Sequence, residues 1–169
     1  MPIQIYNTLT GQKEEFKSLK KGKVGMYHCG PTVYDTAHIG NLRTFIMNDT
    51  IRRVFEHENY DVTQVMNITD VDDKTMRKSK EENTTLERLT KHYETLFLAD
   101  IHSLNILTPH KLLSARNHVK NMIEMISTLL DKGIAYPTKD GIYFGISKFK
   151  DYGKLAKINL SDETKERIA

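Results

Sequence analysis

The chain has a single cysteine, Cys29, among its 169 residues. One thiol excludes an internal disulfide and gives no sign of an oxidising compartment. It also leaves no second cysteine with which to close a thiolate metal site. No apolar run is long enough to span a bilayer, and Met1 does not begin the charged-then-apolar pattern of a signal peptide. A strong charge of one sign is missing too: 25 Lys+Arg stand against 22 Asp+Glu, a formal charge of +3. So small an excess permits contact with a phosphate-rich partner without arguing for one. There is no internal repeat, low-complexity tract or flexible linker. A soluble, cytoplasmic, monomeric protein with no membrane contact is the default expectation. What is present suffices for one domain with a real core: 38% hydrophobic and 28% charged residues, spread evenly.

Periodicity sets the expected elements. Ile3 to Phe16 reads as a short strand or hairpin turning at Thr10-Gly11-Gln12, and Lys20-Lys21-Gly22-Lys23 as a solvated turn. Val24 to Cys29 is a short strand bounded by Gly22 and Gly30-Pro31. Ile39 to Glu58 is a helix whose apolar residues (Leu42, Phe45, Ile46, Met47, Ile51, Val54, Phe55) cover more than one stripe, so it is expected to pack on two sides. Val62 to Ile68 is a second apolar strand. Strand, helix, strand at this spacing predicts a right-handed βαβ crossover with parallel strands, hence an α/β fold. Asp72-Asp73 can cap a following helix, and Glu81-Glu82-Asn83 is a polar interruption. Leu86, Leu89, Tyr93, Leu96, Phe97, Ile101 and Leu104 have helical spacing, with Pro109 beyond them. A further helix is expected from about Leu112, with Ala115, Val119, Met122, Ile123, Ile126, Leu129 and Leu130 on one face and Gly133 as its stop. Ile142, Phe144 and Ile146 alternate with Tyr143 and Gly145 as a short strand. The last twenty residues are polar and end without a capped element, as if the chain had been cut.

Three places carry candidate chemistry. His38-Ile39-Gly40-Asn41 falls at a strand-to-helix turn, where open α/β sheets bind ligands. A helix start there offers unpaired N–H groups and the positive end of the helix dipole, which suits phosphate. His38 can donate to a phosphate oxygen as charge builds during attack at phosphorus, and Gly40 lets a flat base approach the backbone. On four residues alone, an ordinary helix start with a surface histidine is the plainer explanation. Cys29, at a strand end, reads either as a small buried hydrophobe or as a thiolate ligand to zinc. His28 points to the opposite face of the strand and is a poor co-ligand. In Asn67-Ile68-Thr69-Asp70-Val71-Asp72-Asp73-Lys74, Thr69 comes to the end of the second strand, beside the same crevice. Asp70, Asp72 and Asp73 offer oxygens to Mg²⁺ or an amino group, with helix capping the plainer role for Asp72 and Asp73.

Together these blocks resemble the cysteinyl-tRNA synthetases, a family of class I aminoacyl-tRNA synthetases. The resemblance begins at Tyr6-Asn7-Thr8-Leu9-Thr10 and Lys13-Glu14-Glu15-Phe16. It continues through Cys29-Gly30-Pro31-Thr32-Val33-Tyr34-Asp35, His38-Ile39-Gly40-Asn41 and Arg43-Thr44-Phe45. It runs on through Asn67 to Lys74, Leu104-Asn105-Ile106-Leu107 and Tyr152-Gly153-Lys154-Leu155. The resemblance implies a Rossmann-like parallel sheet, the first half of a class I catalytic domain, with a helical insertion over about 75–140. It implies ATP-dependent activation of L-cysteine, with Mg²⁺, to cysteinyl-adenylate, followed by transfer to tRNA(Cys). Cys29 would be a zinc ligand, Gly30, Thr32 and Thr69 would line the cysteine pocket, and His38, Gly40 and Asn41 would hold ATP, with His38 and Asn41 catalytic.

The chain departs from the family pattern in places. Asn41 stands where the turn more often ends in histidine, so a neutral donor replaces a group able to carry charge. Leu113-Ser114-Ala115 replaces a Pro-Arg-Ala segment. The remaining zinc ligands, the Lys-Met-Ser-Lys-Ser loop and the anticodon-binding domain of complete members are absent from these residues, which therefore read as an N-terminal part of the catalytic domain. A related ATP-dependent ligase that joins cysteine to an amino sugar shares the same half. A catalytically silent piece is the third reading.

Overall fold

The computed structural model describes residues 2–158. The polar tail expected at the end of the chain lies, beyond 158, outside the described residues. Two compact units are formed, one from Ser18 to Val119 and one from the segments up to Lys17 and from Lys120.

The unit from Ser18 to Val119 is built on a parallel sheet. Strand β3 (Lys23–His28) and strand β4 (Asp61–Ile68) pair in parallel, Val24 opposite Val62 and His28 opposite Met66. Helix α1 (Ile39–His57) connects them, so the expected βαβ unit is present. Along β4, Val62, Gln64, Met66 and Ile68 are buried, the period of two that a strand with one covered face requires. Helices α2 (Asp73–Glu81) and α3 (Leu86–Ser103) follow. The chain then returns as strand β5 (Lys111–Ser114), parallel to β4, with Val65 opposite Lys111 and Ile68 opposite Ser114.

The core gathers Val33, Phe45, Met66, Ile68, Phe97 and Ile101 from loop, helices and sheet. Phe45 and Phe97 meet edge to face at 4.9 Å between centroids, a favoured aromatic geometry. Helices α1, α2 and α3 are each followed by an asparagine in the left-handed region: Asn59 (φ 62), Asn83 (φ 51) and Asn105 (φ 56). Tyr60 N–H bonds back to Phe55 O, Thr84 N–H to Ser79 O and Ile106 N–H to Ile101 O, so each helix closes its last carbonyls in the same way.

Two expectations are corrected in this part of the chain, and a third below. No helix starts at Leu112. Residues 111–114 are strand β5, because β4 offers an open edge and Leu112 fills the core when extended. A short 3₁₀ turn (Arg116–His118) intervenes, and the helix begins at Val119. Helix α1 also does not bury two apolar sides. Ile46, Met47 and Val54 are exposed, and its covered stripe is Phe45, Asp49, Arg52 and Phe55. Its two buried charges are satisfied. Asp49 accepts from Leu107 N–H at 3.0 Å and Arg53 Nε at 2.7 Å. Arg52 donates to Gln64 Oε1 at 3.1 Å and Thr108 O at 3.0 Å. These bonds fasten α1 to the segment that enters β5 and meet the demand that buried charge be paired.

The other unit holds an antiparallel hairpin of β1 (Gln4–Asn7) and β2 (Gln12–Glu15). Its turn is closed by Gly11 at φ 75. It also holds most of helix α4 (Val119–Asp131) and a second antiparallel pair, β6 (Ala135–Pro137) with β7 (Ile142–Phe144). Ile146 begins a 3₁₀ turn and does not extend β7.

Candidate active site

Where β3 ends, the chain cannot continue as an ordinary strand. A Cβ on Gly30 would lie 1.9 Å from the Asn67 carbonyl oxygen and 2.8 Å from Met66 Cγ. Only glycine lets this segment approach β4 so closely. The pairing then resumes: Thr69 N–H donates to Pro31 O at 3.0 Å and Val33 N–H to Thr69 O at 3.1 Å. The turn from strand to helix is thus fixed against the end of β4, and Cys29 is left exposed at its start. That exposure removes the reading of Cys29 as a buried hydrophobe.

Helix α1 starts with a reciprocal cap. Gly40 N–H donates to His38 Nδ1 at 3.0 Å, and His38 N–H donates to Asn41 Oδ1 at 3.2 Å. A ring that accepts at Nδ1 carries its proton on Nε2 when neutral, so His38 presents a donor outward. Asn41, with its oxygen engaged, presents its amide hydrogens, which meet no partner among the described residues. A Cβ on Gly40 would sit 2.8 Å from His38 Cε1, so glycine is what allows the imidazole to fold over the first turn. No acidic residue occupies that turn.

A cavity of about 420 Å³ opens at this point, lined among others by Cys29, Gly30, Thr32, His38 and Asn41. Tyr93 and Phe97 of α3 and Lys74 of α2 complete its wall. Lys74 Nζ stands 5.7 Å from the centre of the Tyr34 ring, within cation–π range. Gly40 forms the helix turn behind His38, and Thr69 is half-buried behind Thr32, with which it forms a bridge. Asn67 joins these parts. Its Oδ1 accepts from Tyr27 Oη at 3.1 Å and Gly30 N–H at 3.2 Å, and its Nδ2 donates to Thr69 Oγ1 at 3.1 Å.

The three aspartates after β4 do not form a cation site. Asp70 is buried and accepts from Ser114 Oγ and from Arg116 N–H at 2.9 Å, with Arg116 Nε at 3.8 Å. The Leu113-Ser114-Ala115 segment thereby has a structural role: it docks the end of β5 onto Asp70. Asp72 caps α2, accepting from Lys74 N–H at 2.8 Å, and Thr75 completes that cap. Asp73 lies in the first turn. Among the described residues there is no group of three or more histidine, cysteine, aspartate or glutamate side chains able to hold a metal. The donors present therefore do not fit a four-coordinate zinc by themselves.

On the opposite face of β3, His28 Nε2 meets Gln64 Nε2 at 2.9 Å, while its buried Nδ1 has no partner of hydrogen-bond geometry. Burial lowers the pKa of this ring, against a smaller opposing pull from the Cys29 main chain. His28 thus belongs to the packing under the sheet, as strand alternation requires. The pattern of the sequence pointed to the strand ends and the capped turn. It did not point to the contribution of α3 to the cavity wall or to the hub at Asn67. The spacing of Asn67 and Thr69, two apart on a strand and so on one face, was the available signal.

A parallel sheet, a crossover helix whose first turn lacks acidic residues, and a cavity beyond the strand ends form the arrangement in which open α/β folds place their ligands. The family model described as "tRNA synthetases class I (C) catalytic domain" matches residues 15–169, and the chain belongs to this family. It is similar to the cysteine--tRNA ligase of Thermococcus kodakarensis, 47% identical over 165 residues, which are 98% of this chain and 35% of that relative. It is similar also to the cysteine--tRNA ligases of Pyrococcus horikoshii (45% over 162 residues; 96% of this chain, 34% of the relative) and Lachnospira eligens (48% over 162 residues; 95% and 34%). The chain thus spans about a third of the length of the curated relatives it matches. The expected α/β class with a Rossmann-like parallel sheet holds. No helix among the described residues is long and apolar enough to cross a membrane.

Proposed function

We propose that this chain is the part of a cysteine–tRNA ligase that binds ATP and L-cysteine and carries out amino-acid activation. The observation that supports it most directly is the arrangement at α1. A helix start without acidic residues, with outward donors from His38 and Asn41, faces a cavity that begins at the Cys29 thiol. In this reading a cysteine carboxylate oxygen attacks the α-phosphorus of ATP. The bond to the bridging oxygen breaks, pyrophosphate leaves, and cysteinyl-adenylate remains. His38 Nε2–H and Asn41 Nδ2–H₂ hold phosphate oxygens as charge grows on them, helped by the helix dipole. Gly40 keeps the imidazole folded so that its donor faces the ligand. Gly30, Thr32 and Thr69 surround the amino acid. Transfer to the terminal ribose of tRNA(Cys) completes the reaction in the longer protein.

Cys29 is proposed as a metal-binding thiol. Zinc held there would favour the soft thiolate of cysteine over the hydroxyl of serine. Because the described residues supply one ligand of about four, this chain alone is expected to bind zinc weakly. Tight, stoichiometric zinc by elemental analysis refutes that expectation. A helical insertion in the catalytic domain over about 75–140 is proposed; helices α2 and α3 make up its first part, and strand β5 lies within this range. The reading places the protein in the cytoplasm as a monomer.

The test is cysteine-dependent exchange of pyrophosphate into ATP by the full-length protein, followed by offering tRNA(Cys) or an amino sugar as acceptor. Exchange with cysteine and charging of tRNA support the proposal. Joining to the amino sugar alone assigns the related ligase. Absence of heat on titrating ATP and cysteine marks a silent binding module.

A further inference from the structure

We infer that Asn67 is a positioning residue that sets the direction of the Thr69 hydroxyl, making Thr69 a hydrogen-bond donor toward the bound amino acid. The inference rests on the reading of the cavity given above. Its physical basis is the polarity of three hydrogen bonds. The Gly30 main-chain nitrogen can only donate, and it lies 3.2 Å from the Asn67 side chain. The atom that receives it must therefore be the amide oxygen, which also accepts from Tyr27 Oη at 3.1 Å. With the oxygen so placed, the amide nitrogen faces Thr69 Oγ1 at 3.1 Å. A nitrogen bearing two hydrogens donates there, so Thr69 accepts.

A hydroxyl has one proton to give and two acceptor positions. With Asn67 donating to one of the latter, the Thr69 proton is turned away from Asn67. No other partner of this hydroxyl exists among the described residues. Thr69 is bonded through its main chain to Pro31 and Val33, both in the cavity wall, and in the reading above its proton is then free for the amino acid that this wall surrounds. The matching group is an acceptor, a carboxylate or thiolate, in preference to an ammonium. The close approach that Gly30 permits and the orientation of Thr69 are thus one device. The backbone donor that anchors the strand end also fixes the amide that directs the hydroxyl.

The decisive variant is Asn67→Asp in the full-length protein. A carboxylate still accepts from Gly30 and Tyr27 but has nothing to donate, so the Thr69 proton turns back to it. In pyrophosphate exchange, the KM for cysteine is expected to rise about tenfold, with kcat and the KM for ATP nearly unchanged. Thr69→Val should give a similar rise, and the double variant should be no worse than either single one. An effect of the new charge itself would persist in the Thr69→Val background and add, and additivity overturns the inference, as does an unchanged KM. A ligand-independent measurement separates this outcome from failure of the functional reading. By NMR on the unliganded protein, Thr69→Val should shift one Asn67 side-chain N–H resonance and leave the Gly30 amide protected from exchange. If neither Asn67 proton responds, the assignment of the hydroxyl is wrong whether or not the protein activates cysteine. If the resonance responds but the wild type activates no amino acid, the proton direction stands and the functional reading falls.

Discussion

The helices that follow β3 and β4 begin with the same reciprocal cap and differ in charge. At α1 the cap is His38 with Asn41; at α2 it is Asp72 with Thr75. In each, the capping side chain takes an N–H of the first turn and the residue three further on takes the N–H of the cap, so the local geometry is the same. The difference lies in what remains for a ligand. Helix α2 neutralises its own dipole with Asp72 and Asp73, whereas α1 has no acidic residue in its first turn. The second position of each helix differs in the same sense. Gly40 makes room for a ring folded over the turn, while Lys74 carries a side chain because the smaller carboxylate of Asp72 does not reach over it. A cap stabilises a helix in both cases; only the one built without a carboxylate keeps the helix start clear of an acidic neighbour.

The largest effect should come from the floor that both turns share. Gly30→Ala places a Cβ against backbone on β4, and the strand end must move. We expect a loss of about 3 kcal/mol in urea unfolding of the protein, together with loss of the Pro31–Thr69 pairing. A change below about 0.5 kcal/mol would show that the approach is not tight. Next is the charge swap at α1. Asn41→Asp retains the acceptor for His38 N–H and adds an acid to the first turn, so stability should rise by about 0.3–1 kcal/mol. ATP affinity should fall about tenfold, by like-charge repulsion of the phosphates. Stability and affinity moving in the same direction would break the comparison between the caps.

How much of this was legible in the sequence is clearest at these two turns. Spacing announced α1, the capping aspartates and the parallel pairing of β3 with β4, because apolar periodicity and caps act over a few residues. Strand β5 was misread as the start of a helix, since a short apolar segment takes its conformation from the edge it meets. The partner of Asp70 was unreadable for the same reason: Ser114 and Arg116 are brought to it only by β5.

Smaller changes sharpen the contrast. Asp72→Asn keeps the cap but removes its charge, and should cost about 0.3–1 kcal/mol in thermal unfolding with ATP affinity unaltered. A weakened ATP affinity would mean that the charge of the α2 cap acts on the site. The smallest effect is expected in the other unit, in the β6–β7 pair. Hydrogen bonds from Thr138 and then Tyr143 hold the Asp140 carboxyl below its ordinary 3.8. A depressed value means that the unfolded chain binds the proton more readily. This contribution to stability is therefore present above 3.8 and lost as pH falls through the folded value. Asp140→Asn should flatten the acid-induced shift of the hairpin amides in an NMR titration; an unchanged profile would remove Asp140 as its cause.

The sequence by itself determined the βαβ order of β3, α1 and β4, the capping residues of α1 and α2, and the blocks by which the family was recognised. Those features are encoded in periodicity, in caps and in short motifs. Only the tertiary structure decided that Cys29 is exposed, that Asp70 is bound to the end of β5, and that Asn67 links Tyr27, Gly30 and Thr69. The last two depend on atoms about forty residues apart being brought within hydrogen-bond reach, and no local pattern specifies such a meeting.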